Sequence, residues 1–179
     1  MIYITYYNSP IGDILLASKN DKLIGLWIEN QKYYLSGFKE ELKEVDNNKI
    51  LNKAKKWLDR YFDGEKPNIN ELELEPIGSD FRKSVWRILC NIPYGEVITY
   101  NDIAKEIAKE KGIKQMSAQA VGGAVGHNPI SIIIPCHRVV GSNGSLTGYA
   151  GGVKKKKYLL EHEKVDMSKL YIPKKGTAV

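Results

Sequence analysis

A chain of 179 residues carries 27 lysines and arginines against 21 aspartates and glutamates, a formal charge of +6, and has a pI near 9.1; that length suits one average domain or two small ones with a real core. Its two cysteines, Cys90 and Cys136, exclude a disulfide framework and a four-thiolate zinc site, and no apolar stretch approaches the ~18 residues that span a bilayer. The basic balance points to an anionic partner, nucleic acid foremost, although only Arg60, Arg82, Arg87 and Arg138 are arginines and most of the charge is generic lysine. The N-terminus lacks the basic, apolar and small-residue succession of a signal peptide, so a cytoplasmic location is expected, nucleoid-associated if the source is prokaryotic.

Residues 3–7, 13–18 and 23–29 are rich in β-branched and aromatic side chains and are separated by Asn8-Ser9-Pro10 and Lys19-Asn20-Asp21, which predicts a small antiparallel sheet. From 48 to 62 the apolar residues fall at 50, 51, 54, 57, 58, 61 and 62, a helical stripe with Gly64 placed to end it. That helix should cover the sheet. Residues 65–79 hold Pro67, Pro76 and Gly78 with no sustained period and read as a connecting segment. The expected domains are therefore 1–74 and 75–165, with 166–179 a loose tail.

The second half reads as short helices between punctuated turns. Ser79 or Asp80 can cap a helix bearing Phe81, Val85, Trp86, Ile88 and Leu89, which Pro93-Tyr94-Gly95 stops. Cys90 inside it reads as an inert core residue. Thr99 can cap the next helix, with Asp102 at the capping-box position and Gly112 at its end; Ser117 caps a third, residues 118–125, closed by Gly126. Two helices joined by a short turn are the outline of a helix-turn-helix. The third helix is unusually light, and each interior glycine, Gly122 and Gly123, costs roughly 1 kcal/mol relative to alanine. Two explanations stay open: tight packing against another helix, or a backbone that lies close against a ligand such as a nucleic-acid groove, with Gln119 the longest side chain able to reach in.

After His127-Asn128-Pro129, residues 130–134 form a nearly continuous apolar run suited to a buried strand. Pro135 closes it, so Cys136 should sit at the mouth of a rigid segment. His137 is adjacent, and Asn128 and Glu163 are candidate orienters. A thiol with a pKa near ~8.5 attacks only as thiolate, and neighbouring side chains usually diverge, so the base should act through a bridging water. Metal binding by Cys136, His137 and His127 is short of ligands. The Lys154-Lys155-Lys156-Lys157 run reads as a solvated helix face, and no Rossmann glycine pattern or P-loop marks a cofactor site.

The string Ile134-Pro135-Cys136-His137-Arg138-Val139-Val140, preceded by Ala120-Val121-Gly122-Gly123-Ala124 and Asn128-Pro129 and followed by Gly148-Tyr149-Ala150-Gly151-Gly152, resembles the active-site region of methylated-DNA-protein-cysteine methyltransferases, the O6-alkylguanine-DNA alkyltransferases. The likeness runs over about residues 81–163. It implies an α+β protein, with an N-terminal ribonuclease H-like domain of a small antiparallel sheet and a helix. The C-terminal domain is then mostly helical, with a winged-helix-like helix-turn-helix and an active-site loop. The implied function is DNA repair by direct, stoichiometric transfer of the alkyl group from O6-alkylguanine to Cys136, with O4-alkylthymine a second candidate substrate. The base is flipped out of double-stranded DNA that is held by its minor groove.

On this resemblance His137 is the base, Glu163 the carboxylate behind it, Asn128 the residue that fixes the turn, and Tyr100 a hydrogen-bond donor to the departing guanine. Thr99, Tyr100, Asn101, Ser117, Ala118, Gln119, Gly122, Arg138 and Ser142 are implied DNA contacts. Val139, Tyr149 and Ala150 are implied walls of the base pocket, main-chain groups near Cys136, Val139 and Ala150 reading the guanine. A monomer with no cofactor, metal or membrane partner is implied. Many family members carry an arginine where this chain has Gln119, which can fill a gap in the base stack but lacks the planar cation; weaker or more salt-tolerant binding is expected. Two rival readings stand beside this one: a non-enzymatic adaptor that flags alkylated guanine, and a cysteine hydrolase built on Cys136 and His137.

Overall fold

The computed structural model describes residues 1–174, and the chain divides into two compact units, Met1–Ile77 with Pro129–Ile133, and Gly78–Asn128 with the chain from Ile134 onward. In the first unit β1 (Ile2–Ser9), β2 (Gly12–Lys19) and β3 (Lys22–Ile28) form the expected antiparallel meander. The turn between β2 and β3 places Asn20 and Asp21 at φ 50° and 58°, a left-handed conformation that these short polar side chains tolerate. A fourth strand, β4 (Leu42–Glu44), joins the free edge of β1 in parallel, giving the order β3-β2-β1-β4. Its three residues are all exposed, so no apolar alternation announces it.

Helix α1 (Lys49–Phe62) starts at Asn48, whose side chain accepts from the N–H groups of Ile50 and Leu51. It packs on the sheet and buries Ile50, Leu51, Ala54, Trp57, Leu58 and Tyr61. Residues 14–18 of β2 are buried without a break, as a strand covered on both faces must be. One face gathers Ile2, Ile4, Leu15, Ala17, Ile24 and Trp27 beneath Leu35 and Phe38. The expected connector is partly tied down as well: Leu23 donates to the Glu73 carbonyl and accepts from the Glu75 N–H, both at 2.8 Å.

Pro129–Ile133 completes this unit and corrects one expectation. Ile130, Ile132 and Ile133 are buried, yet the run is not a strand. Only Ile130 makes a bridge, to Leu26, before the chain turns with Ile132 at φ 70°, a costly conformation for a β-branched residue. What holds it is non-local: Leu26 donates to Pro129 and accepts from Ser131, and the Ser131 hydroxyl bonds Gln31 at 3.3 Å.

The second unit is mostly helical. Its helices are α2 (Asp80–Leu89), capped by Ser79; α3 (Tyr100–Lys111), opened by the Thr99 and Asp102 capping box and closed by left-handed Gly112; α4 (Ala118–Gly126), capped by Ser117; and α5 (Val153–His162). Trp86 joins α2 to α4 through its indole N–H, which donates to the Ala124 carbonyl at 2.8 Å. Cys90 is the C-cap of α2 and only half-buried; burial pushes its thiol up to about 11. Short strands β5 (Ile98–Thr99) and β6 (Val139–Val140) pair in parallel. The segment after Asp166, expected to be loose, is anchored as far as Tyr171, which bonds Leu146 and Gly144, while Met167 and Leu170 pack on Val140, Leu146, Leu160 and Val165. Residues 175–179 of that expected tail lie outside the described residues.

Candidate active site

Cys136–Arg138 form one turn of 3-10 helix directly after Pro135 and lead into β6. The entry to this turn is fixed by Asn128: its side-chain amide donates to the Ile134 carbonyl at 2.8 Å, the same carbonyl that receives the Cys136 N–H at 2.8 Å. Cys136 is 3% exposed and His137 is fully buried. From the C-cap of α5, Glu163 reaches both sides of the turn. Its Oε2 meets His137 Nε2 at 2.5 Å, its Oε1 accepts from Arg138 Nε at 2.7 Å, and the Gly95 N–H donates to Oε1 at 3.2 Å.

Burial alone raises the Glu163 carboxyl, but His137 and Arg138 hold it well below the usual carboxylate range. Burial lowers the His137 pKa against the pull of Glu163. An ionised carboxylate can only accept, so Nε2 of the neutral ring must carry the proton. The basic lone pair then lies on Nδ1, which is buried without a hydrogen-bond partner among the described residues. A neutral imidazole backed by a carboxylate is a competent proton acceptor.

Around Tyr100 the structure gathers most of the residues expected to meet DNA. Tyr100, Asn101, Ala118, Gln119, Gly122 and Ser142 line one cavity of about 450 Å³, together with Gly141, Thr147 and Gly148. Burial raises the Tyr100 phenol well above its usual range, so it stays a proton donor. Its hydroxyl donates to the Thr147 carbonyl at 2.7 Å. Gly148, at φ 78°, is what lets it approach, because a Cβ there would lie 2.6 Å from that hydroxyl. Thr99 and Ser117 serve as helix caps. Val139 and Tyr149 are buried and Ala150 is half-buried.

The glycines of α4 do not serve helix packing. A Cβ on Gly122 would meet only the Tyr100 ring, at 3.9 Å, and one on Gly123 would meet nothing within 4 Å. The light side of this helix faces open space.

Residues 80–165 match the family described as 6-O-methylguanine DNA methyltransferase, DNA binding domain, and residues 2–76 match 6-O-methylguanine DNA methyltransferase, ribonuclease-like domain. A methylated-DNA–protein-cysteine methyltransferase of Methanosarcina barkeri is 44% identical over 90% of this chain and 97% of its own length. The one from Haemophilus influenzae is 38% identical over 92% of this chain and 87% of its own. Among solved structures, Mycobacterium tuberculosis OGT in complex with DNA superposes with a TM-score of 0.78 at 39% identity, covering 90% of this chain and 92% of that one. The chain belongs to the methylated-DNA–protein-cysteine methyltransferase family.

Two residues of this family member stand where its sequence did not suggest. Arg138, expected against DNA, is buried. Its guanidinium grips Glu163, donates to the Ile92 carbonyl at 2.7 Å and sits 5.6 Å over the Tyr94 ring. It balances the carboxylate rather than a phosphate. Lys156, taken for part of a solvated run, is fully buried. Its ammonium donates to the carbonyls of Val139 and Thr147 and lies 5.9 Å from the Tyr100 ring. Burial pushes its pKa down to about 8, partly offset by the nearby Cys136 side chain. A signal was present: Val153, Lys156, Leu160 and Glu163 recur at steps of three and four, which puts Lys156 on the inward face of α5.

Proposed function

We propose that this chain repairs double-stranded DNA by moving the alkyl group of O6-alkylguanine onto Cys136, once per molecule. The observation that carries the reading is the buried Glu163, His137 and Cys136 arrangement on a turn fixed by Asn128. The thiol proton passes through a water to Nδ1 of His137, and Glu163 stabilises the imidazolium that results. Sulfur attacks the alkyl carbon, the carbon–O6 bond breaks, and its electron pair leaves with guanine. The departing base takes a hydrogen bond from Tyr100 and finally the proton released by the thiol, so the products are a thioether and neutral guanine. The thioether has no good leaving group, and Cys136 is consumed.

Tyr100 must leave the Thr147 carbonyl to reach a base. Lys156 stays bonded to that carbonyl, so the exchange strands no buried acceptor. The base flips past Tyr100 toward Cys136 while α4, with its glycine-lightened face, lies along the minor groove and Gln119 enters the space vacated in the stack. O4-alkylthymine is a second candidate substrate. The protein works as a monomer in the cytoplasm, where two thiols outside any disulfide suit the reducing conditions.

Incubating the protein with a duplex containing O6-methylguanine and weighing it intact tests the reading. Expected is a gain of one methyl per protein, located on the peptide bearing Cys136 and lost in Cys136→Ala. Binding without an adduct points to the adaptor, repeated turnover points to a hydrolase, and either result overturns the proposal.

A further inference from the structure

The turn between α3 and α4 is long for a helix-turn-helix. Such motifs join their helices through about 3–4 residues, whereas α3 ends at Lys111 and α4 begins at Ala118, leaving six between them, residues 112–117. Four of these, 113–116, line a half-open cleft of about 400 Å³ together with one flank of α3. Steps of four along the helix put Asn101, Lys105 and Lys109 in one row, and Lys114 lines the cavity from the turn. Ala104 and Ala108, both buried, give the cavity a small apolar floor.

The chemistry of this lining is one-sided. Among the described residues, no acidic side chain contributes to it. Asp102 is spent on the capping box, and Glu106 and Glu110 of α3 lie outside the lining. Lys105, Lys109 and Lys114 have no ion-pair partner among the described residues. Three uncompensated ammonium groups over an apolar floor suit an anion with an uncharged body, as a sugar-phosphate chain is. The cavity also shares Asn101 with the one beside Tyr100, so a single strand could run past both. The lysines are exposed, unlike the converging buried donors that hold a lone phosphate.

Resting on the DNA reading above, we infer that the cleft formed by Lys105, Lys109 and Lys114 seats the phosphodiester backbone of the duplex, a contact separate from α4 and from the cavity beside Tyr100. It takes no part in the chemical step. Each phosphate neutralised adds about 0.9 to the slope of log affinity against log salt, so the three lysines contribute roughly 2–3 units.

The test is fluorescence titration of an unmodified duplex over a range of salt, with the parent, the triple variant Lys105→Gln, Lys109→Gln, Lys114→Gln, and a charge-matched control carrying Lys49→Gln, Lys53→Gln and Lys56→Gln on α1. Expected is a slope about 2–3 units shallower in the first triple variant only, with its single-turnover methyl transfer at saturating duplex unchanged. A parental slope in that variant, or an equal loss in the control, overturns the inference and leaves the DNA reading intact. A parent with no duplex affinity overturns both. Inorganic phosphate should compete no better than chloride at matched ionic strength; stronger competition that vanishes in the triple variant assigns the cleft to a free anion instead and overturns the polymer contact.

Discussion

Lys156 holds its charge where charge is expensive. Its pKa falls from 10.5 to about 8 on burial, a penalty of about 3 kcal/mol on the charged form. Between those values the unfolded chain binds the proton and the folded chain does not, so stability rises with pH through that window and the lysine is a liability at pH 7. Lys156→Met should therefore stay within about 1–2 kcal/mol of the parent, the relief of that penalty offsetting the stranded Val139 carbonyl. Its single-turnover rate should fall at least about tenfold. Thermal melting and rapid-quench transfer measure both, and a parental rate removes Lys156 from the site. Glu163→Gln is the opposite case, because it leaves Arg138 buried and unpaired at a cost of about 3–5 kcal/mol; a melting temperature close to the parent's would deny that pairing its role. His137 adds a pH signature. Its folded pKa lies below the unfolded value near ~6.5, so the unfolded chain takes the proton first and stability falls as pH drops below about 6.5, while remaining flat above. A His137→Asn variant should lose that acid-side decline in melts between pH 5 and 8.

Elements whose signals are local were legible in the chain. Ser79, Thr99 with Asp102, and Ser117 all cap the helices they announced, because a cap is settled by a side chain and an N–H two or three residues on. The run at 130–134 was not legible as a turn, since its shape depends on Leu26 and Gln31, a hundred residues earlier in the chain. Lys156 was misread for a related reason: a run of like charges masks helical phase. Helix α4 has a composition that two different environments would explain, and its surroundings favour one of them. Its glycines could have served packing, but Gly123 has open space where a side chain would go. Gly123→Ala should then stabilise the protein by up to about 1 kcal/mol through helix propensity, while a methyl on the light face weakens duplex binding and slows repair at limiting DNA. Melting and duplex titration read the two effects separately. A stabilised variant with parental affinity would end the case for a backbone that lies against the groove.

At the scale of the whole molecule, the two matched family segments meet between residues 76 and 80. The compact units are not contiguous stretches of chain, however, because Pro129–Ile133 belongs with the first seventy-seven residues. No composition shift could reveal that excursion, since a buried isoleucine run reads alike in either unit. It has a consequence for any attempt to divide the protein. Excising residues 1–77 leaves Cys136, His137 and Glu163 in the chain but removes Leu26, the hydrogen-bond partner of Pro129 and Ser131, and Gln31, which holds the Ser131 hydroxyl. Three buried isoleucines, Ile130, Ile132 and Ile133, then lose their surroundings at roughly 1.5–3 kcal/mol each, and nothing remains to hold Ile132 in its left-handed conformation. Because Asn128 and Ile134 bracket that segment and set the turn bearing Cys136, the fragment 78–179 should lose methyl transfer by at least about a hundredfold with every site residue intact. Supplying residues 1–77 as a separate chain should restore part of the rate. Intact-mass kinetics on the fragment alone and on the mixture decide the matter, and a fragment as fast as the full chain would show that the turn needs no partner strand.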